Sequence, residues 1–292
     1  MLTQHFKLFY RLTQRFFALA SLATVSGCAI PGPTTNDKTL EAKIPRLELQ
    51  LSAGYKLSYL AAGDPQGQTV IFVHGTPGDA EGWADYLMNV PKGYHYVAID
   101  RPGFGSSGPD SAVVSLAEQS NAIADLITSL GGKAVALVGH SLGGPIIAQA
   151  AADHPRLVAG LVILAGSLDP AQEDVPFIQY VGDTWPISAL LPRTIRNANR
   201  EIIALEPQLQ ALGTKLATVT VPVTIVHGTK DDLVPFANVA YTKTKMTNVH
   251  AMEVSALTNQ NHFLPWNSKA QVDAAITKLF QMMPSQPGQA KP

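Results

Sequence analysis

Apolar and polar positions along this chain fall into two alternating kinds of segment. Short runs of β-branched and apolar residues recur: Thr69–Val73 (TVIFV), Tyr94–Ile99 (YHYVAI), Lys133–Val138 (KAVALV), Leu161–Leu164 (LVIL) and Val221–Val226 (VPVTIV). Continuous runs of this kind fit strands buried on both faces, as in a parallel sheet. Between them the period changes. In Ser115–Leu130 the residues Leu116, Ile123, Leu126, Ile127 and Leu130 recur at helical spacing, and Gly131-Gly132 then stops the helix. Strand alternating with helix predicts an α/β fold with a mostly parallel, doubly wound sheet. Two earlier segments, Arg46–Leu51 and Tyr55–Ala62, predict an antiparallel lead-in, and His250–Val254 predicts a last strand.

The alternation breaks between about Leu168 and Leu212. That stretch holds Pro170, Pro176, Pro186 and Pro192 among the bulky side chains Phe177, Tyr180, Trp185, Leu190 and Leu191, and turns helical near Arg200–Leu212. Long insertions between regular elements are often functional, so a small helical cap over the C-terminal edge of the sheet is expected, its aromatic residues forming an apolar pocket with Phe263 and Trp266.

The N-terminus follows a different pattern. Residues 1–15 carry Lys7, Arg11 and Arg15 with no acid, and residues 16–25 (FFALASLATV) are apolar. This run is too short for a membrane span, which needs about 20 residues, and it fits the h-region of a secretory signal. It ends in Val25-Ser26-Gly27-Cys28, which resembles the lipobox of bacterial lipoproteins. That resemblance implies a lipidated Cys28 at the mature N-terminus and, with Ala29 following, an outer-membrane location facing the periplasm. The expected division is therefore residues 1–27 as signal, 28–45 as a lipidated tether rich in Pro, Thr and charge, 46–285 as one domain including the cap, and 286–292 as a flexible tail.

Composition narrows the classes further. Of 292 residues, 46% are hydrophobic and 15% charged, which excludes an intrinsically disordered chain. The net charge of −1, from 21 basic and 22 acidic residues, gives no electrostatic case for a nucleic-acid partner. Cys28 is the only cysteine, so an internal disulfide is excluded. There is no His-Glu-x-x-His and no Cys/His cluster, and no Gly-x-Gly-x-x-Gly entering a helix, so neither a metal nor a nucleotide cofactor is expected.

The candidate chemistry lies at strand ends. Gly139-His140-Ser141-Leu142-Gly143 matches Gly-x-Ser-x-Gly directly after a predicted strand and opens the helix predicted over Leu142–Ala152. A sharp strand-to-helix turn of this kind lifts a serine hydroxyl clear of the sheet. Serine is a weak nucleophile without a base, and the base needs an orienting acid. His262, in a loop after the last predicted strand, is the candidate base; His250, read inside that strand, is the structural alternative. For the acid, Asp231 lies three residues past Gly228, with Asp232 and Asp169 as rivals. An oxyanion needs donors: the Leu142 N–H, and one from His74-Gly75-Thr76-Pro77-Gly78, where Pro77 has no N–H and Thr76 does. Asp100-Arg101-Pro102-Gly103-Phe104-Gly105-Ser106-Ser107 reads as a glycine-shaped turn.

Taken in order, HGTPG at 74–78, DRPGFGSS at 100–107, GHSLGG at 139–144, HGTKDDLVP at 227–235 and NHFLPW at 261–266 resemble the α/β-hydrolase superfamily across nearly all of residues 46–285. The resemblance implies Ser141 as nucleophile, Asp231 as acid, His262 as base, Thr76 and Leu142 N–H groups as oxyanion hole, and no cofactor. It implies a serine hydrolase acting on a small-molecule carboxylic ester. A serine at position 141 counts against haloalkane dehalogenases and soluble epoxide hydrolases, which generally carry Asp there. A carbon–carbon bond hydrolase, a cofactor-free haloperoxidase and a non-catalytic lipid-anchored binding module are the other readings.

Overall fold

Each apolar run becomes a strand in the computed structural model, which describes residues 31–283. The expected signal segment, Cys28 and the tail over 286–292 lie outside the described residues. The order is α1 (Asp37–Lys43), β1 (Arg46–Gln50), β2 (Lys56–Gly63), β3 (Gln68–Val73), α2 (Ala84–Leu87), β4 (Tyr94–Ile99), α3 (Leu116–Ser129), β5 (Val135–His140), α4 (Gly143–Asp153) and β6 (Val158–Leu164). There follow α5 (Phe177–Gly182), α6 (Ile187–Leu190), α7 (Arg193–Gly213), β7 (Val223–Gly228), α8 (Ala237–Lys245), β8 (Met252–Leu257), α9 (Leu264–Asn267) and α10 (Lys269–Met282).

These strands form one sheet in the order β1-β2-β4-β3-β5-β6-β7-β8. β1 and β2 pair antiparallel, and β2 pairs antiparallel with β4; every other pairing is parallel. The central strands are buried on both faces because side chains alternate across the sheet. Ile71, Val73 and Leu137 enter one core with Ile123, Leu126 and Ile127 of α3 and Ile146 and Ile147 of α4. Val70, Phe72, Ala136 and Val138 enter the other, with Leu40 of α1, Tyr86 and Leu87 of α2, and Val272, Ile276 and Leu279 of α10. Helix α3 begins where the sequence places it: the Ser115 side chain accepts from the Glu118 N–H, an N-cap that satisfies one of the orphan amides of the first turn.

Three details differ from the sequence reading. The ordered body starts before residue 46. Asn36 caps α1, and Leu40 is buried in the core, while Thr34 and Thr35 donate three hydrogen bonds of 2.7–2.9 Å to Asp85. The pair Leu40 and Ile44 is an apolar stripe one turn apart, short enough to be lost among Pro, Thr and charged residues. His250 is not inside a strand: β8 begins at Met252, and His250 is exposed, its N–H donating to the Thr220 carbonyl. Helix α7 starts at Arg193, not near Arg200, directly after Pro192; a proline there sets the helical entry and needs no N–H partner.

The cap is α5, α6 and α7. Its long helix is fixed to the loop after β4 by side chains that bind backbone carbonyls. Asn197 Nδ2 donates to Gly103 O (2.8 Å) and Asp110 O (2.9 Å), and Arg193 donates to Gly105 O and Pro109 O, each at 2.9 Å. The cap members of the expected pocket face solvent, while Phe263 and Trp266 are half-buried. Phe177 is 80% exposed, Trp185 84% and Leu190 83%, with Tyr180 also exposed. Phe177 and Tyr180 lie on α5, Leu190 on α6 and Trp185 between them; periodicity could not foresee which face of so short an element would be covered.

Candidate active site

Strands β3, β5, β7 and β8 run parallel, so the loops that leave them gather at one edge of the sheet, where open α/β sheets place their sites. Ser141 follows β5 directly. Its φ is 56°, in the left-handed region that a non-glycine residue rarely occupies. Backbone strain of this kind costs roughly 1–3 kcal/mol and persists only where the surroundings over-determine it. Here they do: the Ser141 N–H donates to Leu164 O (3.0 Å), and its carbonyl accepts from Gly144 N (2.9 Å) and Ser167 N (3.3 Å). Position 75 must be glycine on steric grounds, since a Cβ there would lie 2.8 Å from Ser141 Cβ and 3.3 Å from its Oγ. The HGTPG loop therefore lies directly against the serine. Neither the Thr76 nor the Leu142 N–H has an acceptor among the described residues, and the Thr76 hydroxyl is buried without a partner.

Asp231 and His262 meet across the ends of β7 and β8. His262 Nδ1 lies 2.8 Å from Asp231 Oδ2, and both residues are buried. Carboxylate oxygen accepts, so Nδ1 carries the proton and Nε2 keeps its lone pair. The other carboxylate oxygen accepts from Leu233 N (3.0 Å) and Val234 N (2.7 Å), which fixes the carboxylate plane. His227 Nε2 donates to Val234 O (2.9 Å) and lies 3.5 Å from Asp231 Oδ2. Burial alone would raise the Asp231 carboxyl. The contacts from His227 and His262, the electrostatic attraction of His262 and the Val234 N–H outweigh it and hold the group well below the usual carboxylate range. The two loops approach this closely because position 228 is glycine: a Cβ there would lie 2.3 Å from Gln260 O.

Ser141 and His262 are not hydrogen-bonded to each other; they are joined through His140. That ring lies 4.7 Å from the His262 ring, and its Nε2–H donates to the His262 carbonyl at 2.9 Å. Burial, and then the neighbouring His262, push His140 down to about 3. It stays neutral and sets no competing positive charge beside His262. Trp266 packs edge-on against His140 at 5.6 Å, and Phe263 against His262 at 5.9 Å.

The rival acids separate by geometry. Asp232 is exposed, and Asp169 caps the short turn at Pro170–Gln172 by accepting from Ala171 N at 3.0 Å. The sequence reading missed His140 and His227. Both are buried and adjoin the motif residues, but a histidine beside a motif carries no signal of its contacts. It also read the turn at 100–107 as shaped by its glycines, and Gly103 and Gly105 do hold positive φ. The role of Arg101 within that turn was not legible. Among the described residues no group of three or more His, Cys, Asp and Glu is arranged to hold a metal.

This architecture is the α/β-hydrolase fold: a mostly parallel eight-stranded sheet flanked by helices, with Ser141 in a tight turn at the C-terminal edge. A family model described as alpha/beta hydrolase fold matches residues 68–190. Among curated proteins, the chain is 35% identical over 112 residues to the dihydrolipoyllysine-residue acetyltransferase component of an acetoin cleaving system from Cupriavidus necator, covering 38% of this chain and 30% of that protein. It is 36% identical over 115 residues to a 2-succinyl-6-hydroxy-2,4-cyclohexadiene-1-carboxylate synthase from an Enterobacter species, covering 39% of this chain and 43% of that protein. The chain thus spans less than half the length of these relatives. The crystal structure of a bacterial membrane phospholipase A superposes with a TM-score of 0.63 at 21% identity, covering 95% of this chain and 97% of that one; at that identity the likeness speaks for the fold.

Proposed function

We propose that the protein is a serine hydrolase that cleaves a carboxylic ester of a small or medium apolar substrate. The observation that carries this reading is the 2.8 Å Asp231–His262 pair at the same sheet edge as Ser141, whose backbone is held at φ 56°. His262 Nε2 takes the Ser141 proton as Oγ attacks the ester carbonyl. The carbonyl oxygen becomes an oxyanion that accepts from the free N–H groups of Thr76 and Leu142. His262, now charged and stabilised by Asp231, returns the proton to the leaving alcohol. Water, activated by the same His262, then hydrolyses the acyl-enzyme. The missing Ser141–His262 hydrogen bond is compatible with this, because such contacts often tighten only when substrate binds.

A panel of p-nitrophenyl esters of increasing acyl length tests the reading. We expect turnover of short and medium chains. Cleavage of a vinylogous diketone with all esters left intact would move the function to carbon–carbon bond hydrolysis.

We also propose that Cys28 is acylated and anchors the protein to a bacterial envelope membrane, on the sequence of residues 16–28. Intact-mass measurement of membrane-extracted protein should show added lipid on a chain beginning at Cys28. A soluble mature form beginning elsewhere would contradict the anchor and leave the chemistry untouched.

A further inference from the structure

Arg101 and Glu201 are both buried, one in the turn after β4 and the other on the cap helix α7. Arg101 donates to both Glu201 carboxylate oxygens, at 2.7 and 3.0 Å, and Gln119 Nε2 donates to the same carboxylate at 3.1 Å. The remaining reach of the guanidinium goes to Gly75 O, at 2.9 Å. That carbonyl also accepts from His74 Nδ1 at 2.7 Å. The direction of the second bond is fixed, because the Arg101 N–H donates to His74 Nε2 (3.0 Å) and leaves the proton on Nδ1. Burial first, and then the Arg101 charge, lower His74 well below its ordinary range, which keeps this neutral tautomer.

The Gly75 carbonyl and the Thr76 N–H belong to one peptide unit. A planar peptide that accepts two hydrogen bonds at its oxygen, one from a cation, has its plane fixed and its N–H made a stronger donor, because linked hydrogen bonds polarise one another. We propose that Arg101, held by Glu201 of the cap, is a positioning residue for the oxyanion hole: it orients and polarises the Gly75–Thr76 peptide so that the Thr76 N–H meets the developing negative charge. Glu201 thereby ties the placement of the cap to the strength of the hole. One observation and one general argument favour this over a purely structural ion pair. Arg101 Nε is buried with no partner among the described residues, so the pair is not optimised for its own satisfaction. A buried ion pair is also seldom more stable than apolar residues of similar volume.

The proposal rests on the esterase reading and is tested apart from it. The double variant Arg101→Met/Glu201→Met removes both charges together and leaves no unpaired buried ion, and Glu201→Gln keeps the shape of the pair. Each is assayed beside the wild-type full chain on an oxygen ester and on the matching thionoester, whose sulfur accepts hydrogen bonds weakly. We expect kcat on the oxygen ester to fall about 10–100-fold in the double variant, less than the roughly 10²–10³-fold that follows outright loss of one oxyanion donor, because the Thr76 N–H is weakened and not removed. The KM should be nearly unchanged and the thionoester rate should change less than about threefold, so the preference for oxygen over sulfur collapses. Glu201→Gln should lie between. Equal loss on both esters, or no loss, would overturn the proposal; failure of both variants to fold would make the pair a stability element and overturn it equally. A wild type inert to both esters would instead strike the esterase reading on which the proposal rests.

Discussion

Ser141→Ala is expected to lower kcat for ester hydrolysis about 10⁴–10⁶-fold, with the folded state retained. The size follows from the loss of the acyl-enzyme route. The residual rate comes from binding and the oxyanion donors, which do not need the hydroxyl. Stability should hold for a local reason. The strained turn at φ 56° is maintained by backbone bonds from Ser141 N to Leu164 O and to the Ser141 carbonyl from Gly144 N and Ser167 N. None of these passes through the side chain. Steady-state kinetics and a thermal melt together check both halves of the expectation.

Asp231→Asn should cost about 10⁴-fold in kcat, by the arithmetic of a wrong imidazole tautomer. Asp231 Oδ1 accepts from two backbone amides, Leu233 and Val234, so an asparagine must place its carbonyl oxygen there. Its NH₂ then replaces Oδ2, which faces His262 Nδ1 at 2.8 Å and His227 Nε2 at 3.5 Å. To avoid donor against donor, His262 must move its proton to Nε2, the atom that has to accept from Ser141. Asp232→Asn changes an exposed side chain outside this network and should stay within about twofold of wild type. Measuring kcat for both variants separates the two neighbouring acids; a larger loss at Asp232 would contradict the assignment.

The fold was legible wherever one physical signal dominated. The strands from Thr69 to Val226 are mostly apolar because both sheet faces are covered, and α3 carries its cap and stop signals in plain residues. The site was legible in two ways: glycine at 75, where a side chain would strike Ser141, and a serine at 141 in a tight turn at the end of β5 whose φ of 56° would favour glycine. What escaped reading depended on distant partners. Leu40 and Ile44 form too short a stripe to announce a helix. Helices α5 and α6 are only six and four residues long, too short for a period to mark which face is covered. Arg101 reaches Glu201, 100 positions away, and no local pattern marks such a pair.

On the proposed function, Ser141 is an activated nucleophile. A fluorophosphonate probe reacts with such a serine and not with an ordinary surface hydroxyl. The decisive measurement is therefore mass mapping of the labelled wild-type protein, with Ser141→Ala beside it. One covalent adduct on the peptide containing Ser141, absent from the variant, is the predicted result. An unlabelled folded wild type, or an adduct of equal yield on Ser141→Ala, would contradict it.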